Sequence, residues 1–389
     1  MISFFFRRVP IGRAIRDLTT QLGFLQNPSS LRSISSKPSI NANPFVVSYL
    51  ISSCGLSPAA AISASKKVSF GSSDRPDSVI SLFRNHGFTE AQISSLISRC
   101  PSLLVAKPTK NLLPKLQFFH SFGISSPTIA KILSKDPSVL CSSLENKIIP
   151  AFNFLKSLVG NVENVVTGLK RQPRTINHLQ NVARNMEIMR ENGVPESNIV
   201  SLLTNYPSTM RISNDRFKKI VEDIQQMGFG PSKYLFVLAL HVLTSMNKST
   251  WKQKLEAYRR WGFSENEIRM AFRRYPWFLM LSEKNIMSHM DLFVNKLGWE
   301  RAVIIRYPQL LAFSLENTIL PRCSVLRVLI LKGLVREDLK IGHLMIRSEK
   351  YFLENFVTKY EKEVPHLLDL YKSKNISLLG VEDGTEEVG

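Results

Sequence analysis

The sequence predicts an all-α fold, an α-solenoid (superhelix) of about eight two-helix repeats of roughly 35 residues each. Three observations carry this. A glycine recurs at Gly55, Gly87, Gly123, Gly160, Gly193, Gly228, Gly262, Gly298 and Gly333, at spacings of 32 to 37 residues, and these nine are half of the chain's 18 glycines. Prolines keep step: Pro101, Pro137, Pro173, Pro207 and Pro276 follow a phase glycine by 13 or 14 residues, and Pro308 follows by 10. Three residues beyond each proline stands an apolar side chain, namely Leu104, Leu140, Ile176, Met210, Leu279 and Leu311. Strand signals, such as period-two alternation and Asn-Gly hairpins, are absent.

The elements follow in chain order. Residues 1–34 hold Arg7, Arg8, Arg13, Arg16 and Arg32 against the single acid Asp17, with Phe4, Phe5, Phe6, Val9, Ile11 and Ile15 between them. A basic amphipathic stretch of this kind reads as an organelle transit peptide, not a secretory signal with one unbroken apolar core. Arg32-Ser33-Ile34 resembles a mitochondrial processing site, so the mitochondrion is the expected destination and the chloroplast the alternative. The repeat domain is expected over 45–370. In each unit the glycine ends a helix in a left-handed conformation, and a Ser, Thr or Pro (Ser57-Pro58, Thr89, Pro127, Pro195, Ser264) starts the next. That first helix runs about ten residues to the proline, which cannot continue it. A second helix then leads to the next glycine, with an apolar stripe such as Ile148, Phe152, Leu155 and Val159. Pro114, Pro150 and Pro321 are expected near its start, where a missing N–H costs little. The unit after Gly228 lacks its proline and has Val242 instead. Residues 371–389 are expected to be an acidic flexible tail, carrying Glu382, Asp383, Glu386 and Glu387.

Cys54, Cys100, Cys141 and Cys323 form no Cys-x-x-Cys pair, which excludes a disulfide-stapled secreted domain and the common zinc modules. Cys100 and Cys141 flank proline turns and are expected to be buried. The most apolar run, Tyr234 to Met246, is 13 residues long and contains His241, too short to span a bilayer.

The wording around the prolines carries a resemblance. Arg-Cys-Pro-Ser-Leu-Leu (99–104), Lys-Asp-Pro-Ser-Val-Leu (135–140), Arg-Tyr-Pro-Trp-Phe-Leu (274–279) and Arg-Tyr-Pro-Gln-Leu-Leu (306–311) resemble the repeat signature of the mitochondrial transcription termination factor (mTERF) family. The segment from Ser48 to Lys67 and the closing Ser348-Glu349-Lys350-Tyr351-Phe352-Leu353 resemble its organellar land-plant branch. The likeness covers roughly 45–370. It implies an all-helical superhelix with a basic concave groove for nucleic acid, acting in organellar gene expression. The family has no shared catalytic residue set to carry over.

The charge fits such a partner. With 51 Lys+Arg against 31 Asp+Glu the net charge is +20, a balance that points to a polyanion, either nucleic acid or an anionic membrane face. Two residues before the phase prolines stand Arg99, Lys135, Arg171, Arg274 and Arg306, with Asn205 the exception. A cation there favours the helix macrodipole, and one cation per repeat also makes a ladder for a phosphate backbone. Arg174, Lys252, Lys254, Arg259, Arg260 and Arg273 complete the candidate nucleic-acid-binding set. Further bases cluster at Lys218 and Lys219, Arg269, and Arg322 and Arg327. Trp251, Tyr258, Trp261, Tyr275 and Trp277 interleave with the central bases, as a base-stacking surface would, or as core residues of the helices. No phosphate loop and no His-Glu-x-x-His motif occurs, so no catalytic residue, metal, cofactor or small-molecule substrate is assigned. The expectation is a non-enzymatic protein, monomeric on organellar DNA or RNA, that regulates or terminates transcription or matures RNA, for instance by intron splicing. The alternative is a helical-repeat adaptor for an acidic protein.

Overall fold

The computed structural model describes residues 43–336 and 340–373. Residues 1–34 of the expected leader and 374–389 of the expected tail lie outside them. Among the described residues every regular element is a helix, from Pro44–Ser52 to Leu367–Ser373, and none is long and apolar enough to cross a membrane. The repeats stack into an α-solenoid with one continuous apolar core running from Val46 to Leu367.

All nine phase glycines have positive φ, between 64° and 84°. An aromatic follows several of them, as Phe88, Phe229, Phe263 and Trp299 do, and it has a cause as well. At Gly262 the amide donates to the Arg259 carbonyl (2.8 Å) while the Phe263 amide reaches back to the Tyr258 carbonyl (3.4 Å). This is the paired closure of a helix C-terminus in which the residue after glycine packs back onto the last turn. Phe263 is buried there, as are Phe88, Val194 and Phe229 at the equivalent corners.

Five of the first helices are ten residues long: Glu90–Arg99, Ser126–Lys135, Val162–Arg171, Glu196–Asn205 and Glu265–Arg274; Arg301–Arg306 has six. Thr89 with Gln92 and Ser264 with Glu267 form reciprocal capping boxes at their starts. Each helix ends two residues before its proline. The segment that begins at the proline is more than a turn. Pro101–Val105, Pro173–His178, Pro276–Met280 and Pro308–Ala312 are short 3₁₀ helices, and Ser138–Cys141 is a single helical turn. Each of these repeats therefore has a third, tight element, which drives the apolar residue of the proline motif inward: Leu104, Leu279 and Leu311 are fully buried. Where Val242 replaces proline, its N–H is available and the helix Tyr234–Ser245 runs through without a break.

Pro114, Pro150 and Pro321 stand in the first turn of the α-helices Leu113–Ser121, Ile149–Val159 and Leu320–Leu331, as expected, but each α-helix continues from a preceding π turn. Ser143 caps the second helix by accepting from the Asn146 amide, so Pro150 lies seven residues in, and Ser314 places Pro321 equally deep. A proline ring there meets the carbonyl four residues back. The chain answers with a wide π turn over Leu144–Ile148, Leu315–Ile319 and Pro108–Leu112 before each proline. The Ile149 amide, for example, bonds to the Leu144 carbonyl five residues back.

Candidate nucleic-acid interface

The ladder residues Arg99, Lys135, Arg171, Arg274 and Arg306 are each the last residue of their first helix, and all five are exposed. A helix ending at a proline leaves carbonyls without intrahelical donors. The rungs supply those donors, but to the neighbouring repeat. Arg99 Nη1 donates to the Lys135 carbonyl at 2.6 Å, Lys135 Nζ donates to the carbonyls of Lys170 (3.2 Å) and Arg171, and Arg274 Nη1 donates to the Ile305 carbonyl at 2.9 Å. Three consecutive rungs, Arg99–Lys135–Arg171, are thus joined side chain to backbone, and Arg274 reaches the residue before Arg306. Partial burial, with repulsion from Lys131 and Arg171, pulls the Lys135 ammonium below the usual lysine range. A carbonyl partner fixes a cation without cancelling its charge. The Arg171 and Arg306 side chains have no hydrogen bond or ion pair among the described residues.

The remaining candidates divide by partner. Arg174 pairs with Asp136 across 2.7 Å, in the adjacent repeat. Burial pushes the Asp136 carboxyl up, but hydrogen bonds from Ser138 and Arg174 outweigh it and hold the group below its ordinary range. Arg259 lies between Glu265 (3.4 Å) and Glu256 (3.9 Å), and Arg260 pairs with Glu283. These three cations are neutralised locally. Arg273 donates to the Gly228 carbonyl at 3.3 Å and keeps its charge exposed. Lys252 is exposed with no partner among the described residues, whereas Lys254 turns inward to the Leu281 carbonyl, and burial lowers its pKa. Lys252, Lys254, Arg259 and Arg260 lie along or just after the second helix Lys248–Arg259, and no hydrogen bond or ion pair joins them to the rungs.

The aromatic surface is mostly core. Tyr258 is completely buried, stacked on Phe278 at 3.9 Å between ring centres, with its hydroxyl donating to the Phe278 carbonyl at 2.7 Å. Trp251, Trp261, Tyr275 and Trp277 are half-buried against the core. Trp277 does join a row of rings next to the rungs: Tyr206 stacks on His241 at 4.3 Å, and Trp277 lies 5.5 Å from His241 and 5.8 Å from Tyr206. Cys100 and Cys141 differ from expectation, because Cys141 is exposed and Cys100 half-buried. Arg322 also departs from the expected surface cluster. It is 2% exposed and donates to the carbonyls of Met345 (2.7 Å) and Arg347 (2.8 Å), with the Phe352 ring beneath it.

Arg322 belongs to a second row of donors that the motif spacing did not reveal. From the second helices, Lys115 donates to the Leu140 carbonyl, Asn185 to Met210 and Ile212, Arg216 to Thr244 and Met246, and Lys254 to Leu281, while His289 Nε2 lies 2.8 Å from the Phe313 carbonyl. Each holds the chain where it leaves the short element or helix end of the unit. The signal was present: Lys115, Asn185 and Lys254 each stand eight residues before a phase glycine, inside the apolar stripe. Polar residues in that stripe donate to backbone carbonyls.

Among the described residues no group of three or more metal-ligating side chains comes together. Comparison with known families gives two overlapping matches to the mTERF model, over residues 80–287 and 178–353. None of the curated proteins matches the chain.

Proposed function

The chain belongs to the mTERF family, and we propose that it is a nucleic-acid-binding factor of organellar gene expression whose contact line is the row of rungs at the first-helix ends. One observation carries the reading. Arg99, Lys135 and Arg274 are each held by a carbonyl of the next repeat, which leaves an ordered, uncancelled positive charge at each of these repeat boundaries. Packed helices sit about 8–10 Å apart, and one DNA strand presents a phosphate about every 3.4 Å of axis. Such a row meets only about every third phosphate. Binding is therefore phosphate-directed and moderate, with little base readout, and serves DNA and RNA alike.

Within that role the reading assigns residues 1–34 to import, with the mitochondrion as destination, and residues 45–370 to binding as a monomer through a basic concave groove. The wording at 48–67 and 348–353 supports the land-plant branch, and transcription regulation or termination and RNA maturation are the processes such a binder serves. The test is a salt titration of binding to generic duplex DNA and to duplex RNA. Five engaged rungs give a slope of log K against log salt of about −4 to −5 for DNA, at about 0.9 per contact. No binding at about 50 mM salt, where phosphate contacts are strongest, would overturn the reading in favour of an adaptor for an acidic protein.

A further inference from the structure

Two of the four cysteines face each other across a repeat boundary. Cys100 closes the helix Glu90–Arg99 just before Pro101, and Cys141 ends the short turn Ser138–Cys141 of the next repeat. They are 41 residues apart in sequence, yet their sulphurs lie 2.9 Å apart, and the Ser102 hydroxyl is 3.4 Å from Cys100 Sγ. The two elements are positioned independently of the thiols, by the Arg99 bond to the Lys135 carbonyl and the Lys115 bond to the Leu140 carbonyl. Cys141 is exposed and Cys100 half-buried, so a small reagent reaches the pair, whereas Cys54 and Cys323 are buried.

We propose that Cys100 and Cys141 form a reversible dithiol–disulfide site that staples two consecutive repeats beside the Arg99 and Lys135 rungs, with a peroxide as its oxidant. The inference stands on the fold alone and does not depend on the nucleic-acid reading. The chemistry divides between the two sulphurs. The Cys141 thiol donates to Cys100, and the Ser102 hydroxyl and Leu103 amide add to this, holding the Cys100 thiol below its ordinary pKa; the same contact pushes Cys141 up. Cys100 is then the nucleophile, because the thiolate is the reactive form. Its sulphur attacks one peroxide oxygen, the O–O bond breaks, and the departing hydroxide takes a proton and leaves as water. Cys100 is now a sulphenic acid. The Cys141 sulphur attacks it, the S–O bond breaks, and the hydroxyl leaves as a second water with the Cys141 proton. Two thiols have lost two electrons and the peroxide has gained them. A thiol reductant reverses the bond by exchange.

The test uses the full reduced chain exposed to hydrogen peroxide and digested with trypsin without reduction. The expected product is one linked species joining residues 100–110 to residues 136–147, lighter by two hydrogens than the sum of its parts and separated by dithiothreitol. Cys54 and Cys323 remain available for alkylation once the chain is unfolded. Cys100→Ser and Cys141→Ser each abolish the species, and Cys141→Ser leaves Cys100 as a sulphenic acid that dimedone traps. Recovery of the two peptides unlinked, whether as free thiols or as separate sulphinic acids, would overturn the proposal. So would links scrambled among all four cysteines, or links between chains.

Discussion

Arg274 and Arg306 separate the structural use of a rung from its use toward phosphate. Both end a first helix and both are exposed, but Arg274 donates to the Ile305 carbonyl at 2.9 Å and the Arg306 side chain has no partner among the described residues. Glutamine retains helix propensity and removes the guanidinium with its charge. Arg274→Gln removes a charge-assisted bond to a helix C-terminus, about 1 kcal/mol on a solvated surface. Arg306→Gln removes only the charge at its own helix end, about 0.3 kcal/mol. Removing one phosphate partner lowers the salt slope by about 0.9, and at about 0.1 M salt the same exponent gives about eightfold weaker binding. The expected pattern is an equal fall in affinity in both variants, about sixtyfold in the double variant if the two sites act independently, with the larger melting decrease in Arg274→Gln. The assays are fluorescence anisotropy against a generic duplex across a salt series, and thermal melting by circular dichroism. An unchanged slope in Arg306→Gln refutes the ladder, because that side chain has no hydrogen bond or ion pair among the described residues that could hold it from phosphate. A lowered melting point with unchanged slope in Arg274→Gln makes that rung a cap and nothing more.

Other consequences are independent of nucleic acid. Leu104→Asp places a carboxylate at a fully buried site and costs more than about 4 kcal/mol, whereas Pro207→Ala stays within about 1 kcal/mol because the Val242 unit runs without its proline; melting of both variants checks the pair. Gly123→Ala costs about 1–2 kcal/mol for its φ of +73° alone, with nothing within 4 Å of the new methyl group. Gly262→Ala costs somewhat more, since its Cβ would displace the Arg301 guanidinium that donates to the Trp261 carbonyl, and equal melting of the two variants would contradict this. Burial pushes the His241 imidazole from 6.5 down to about 4. The unfolded chain therefore takes the proton first, and His241's contribution is intact above pH 6.5 and falls by about 1.4 kcal/mol per unit as pH drops toward 4. His241→Gln should flatten that slope in melts recorded between pH 7 and 5.

The sequence carried the fold where the information is local. A glycine that must adopt positive φ, a proline that stops a helix and a Ser or Thr that caps one each act within a few residues, and all nine glycines and the ten-residue helices appear as their spacing requires. The π turn ahead of Pro150 escaped, because it accommodates a proline that a regular helix continuing from Ser143 would reject. The buried role of Arg322 escaped for a different reason. Its partners are the carbonyls of Met345 and Arg347, 23 and 25 residues onward, and whether they meet depends on how the following helices fold back.

The two rows of donors answer the same demand. A helix stopped by proline and continued by a tight turn exposes carbonyls twice, once at the helix end and once where the chain leaves the turn. Most second-helix donors serve the turn exit from inside, where apolar packing surrounds them: Lys115 and Arg322 are 8% and 2% exposed, whereas Arg216 stays exposed. The rungs serve the helix end from outside, and there all five cations stay in contact with water. The same orphaned carbonyls therefore position a buried charge, which can only stabilise, and an exposed one, which is also free to meet a phosphate. Motif spacing cannot distinguish these cases, since Lys254 and Arg274 both read as bases near aromatics. Burial distinguishes them, because Lys254 turns into the seam while Arg274 stays at the surface with its charge intact.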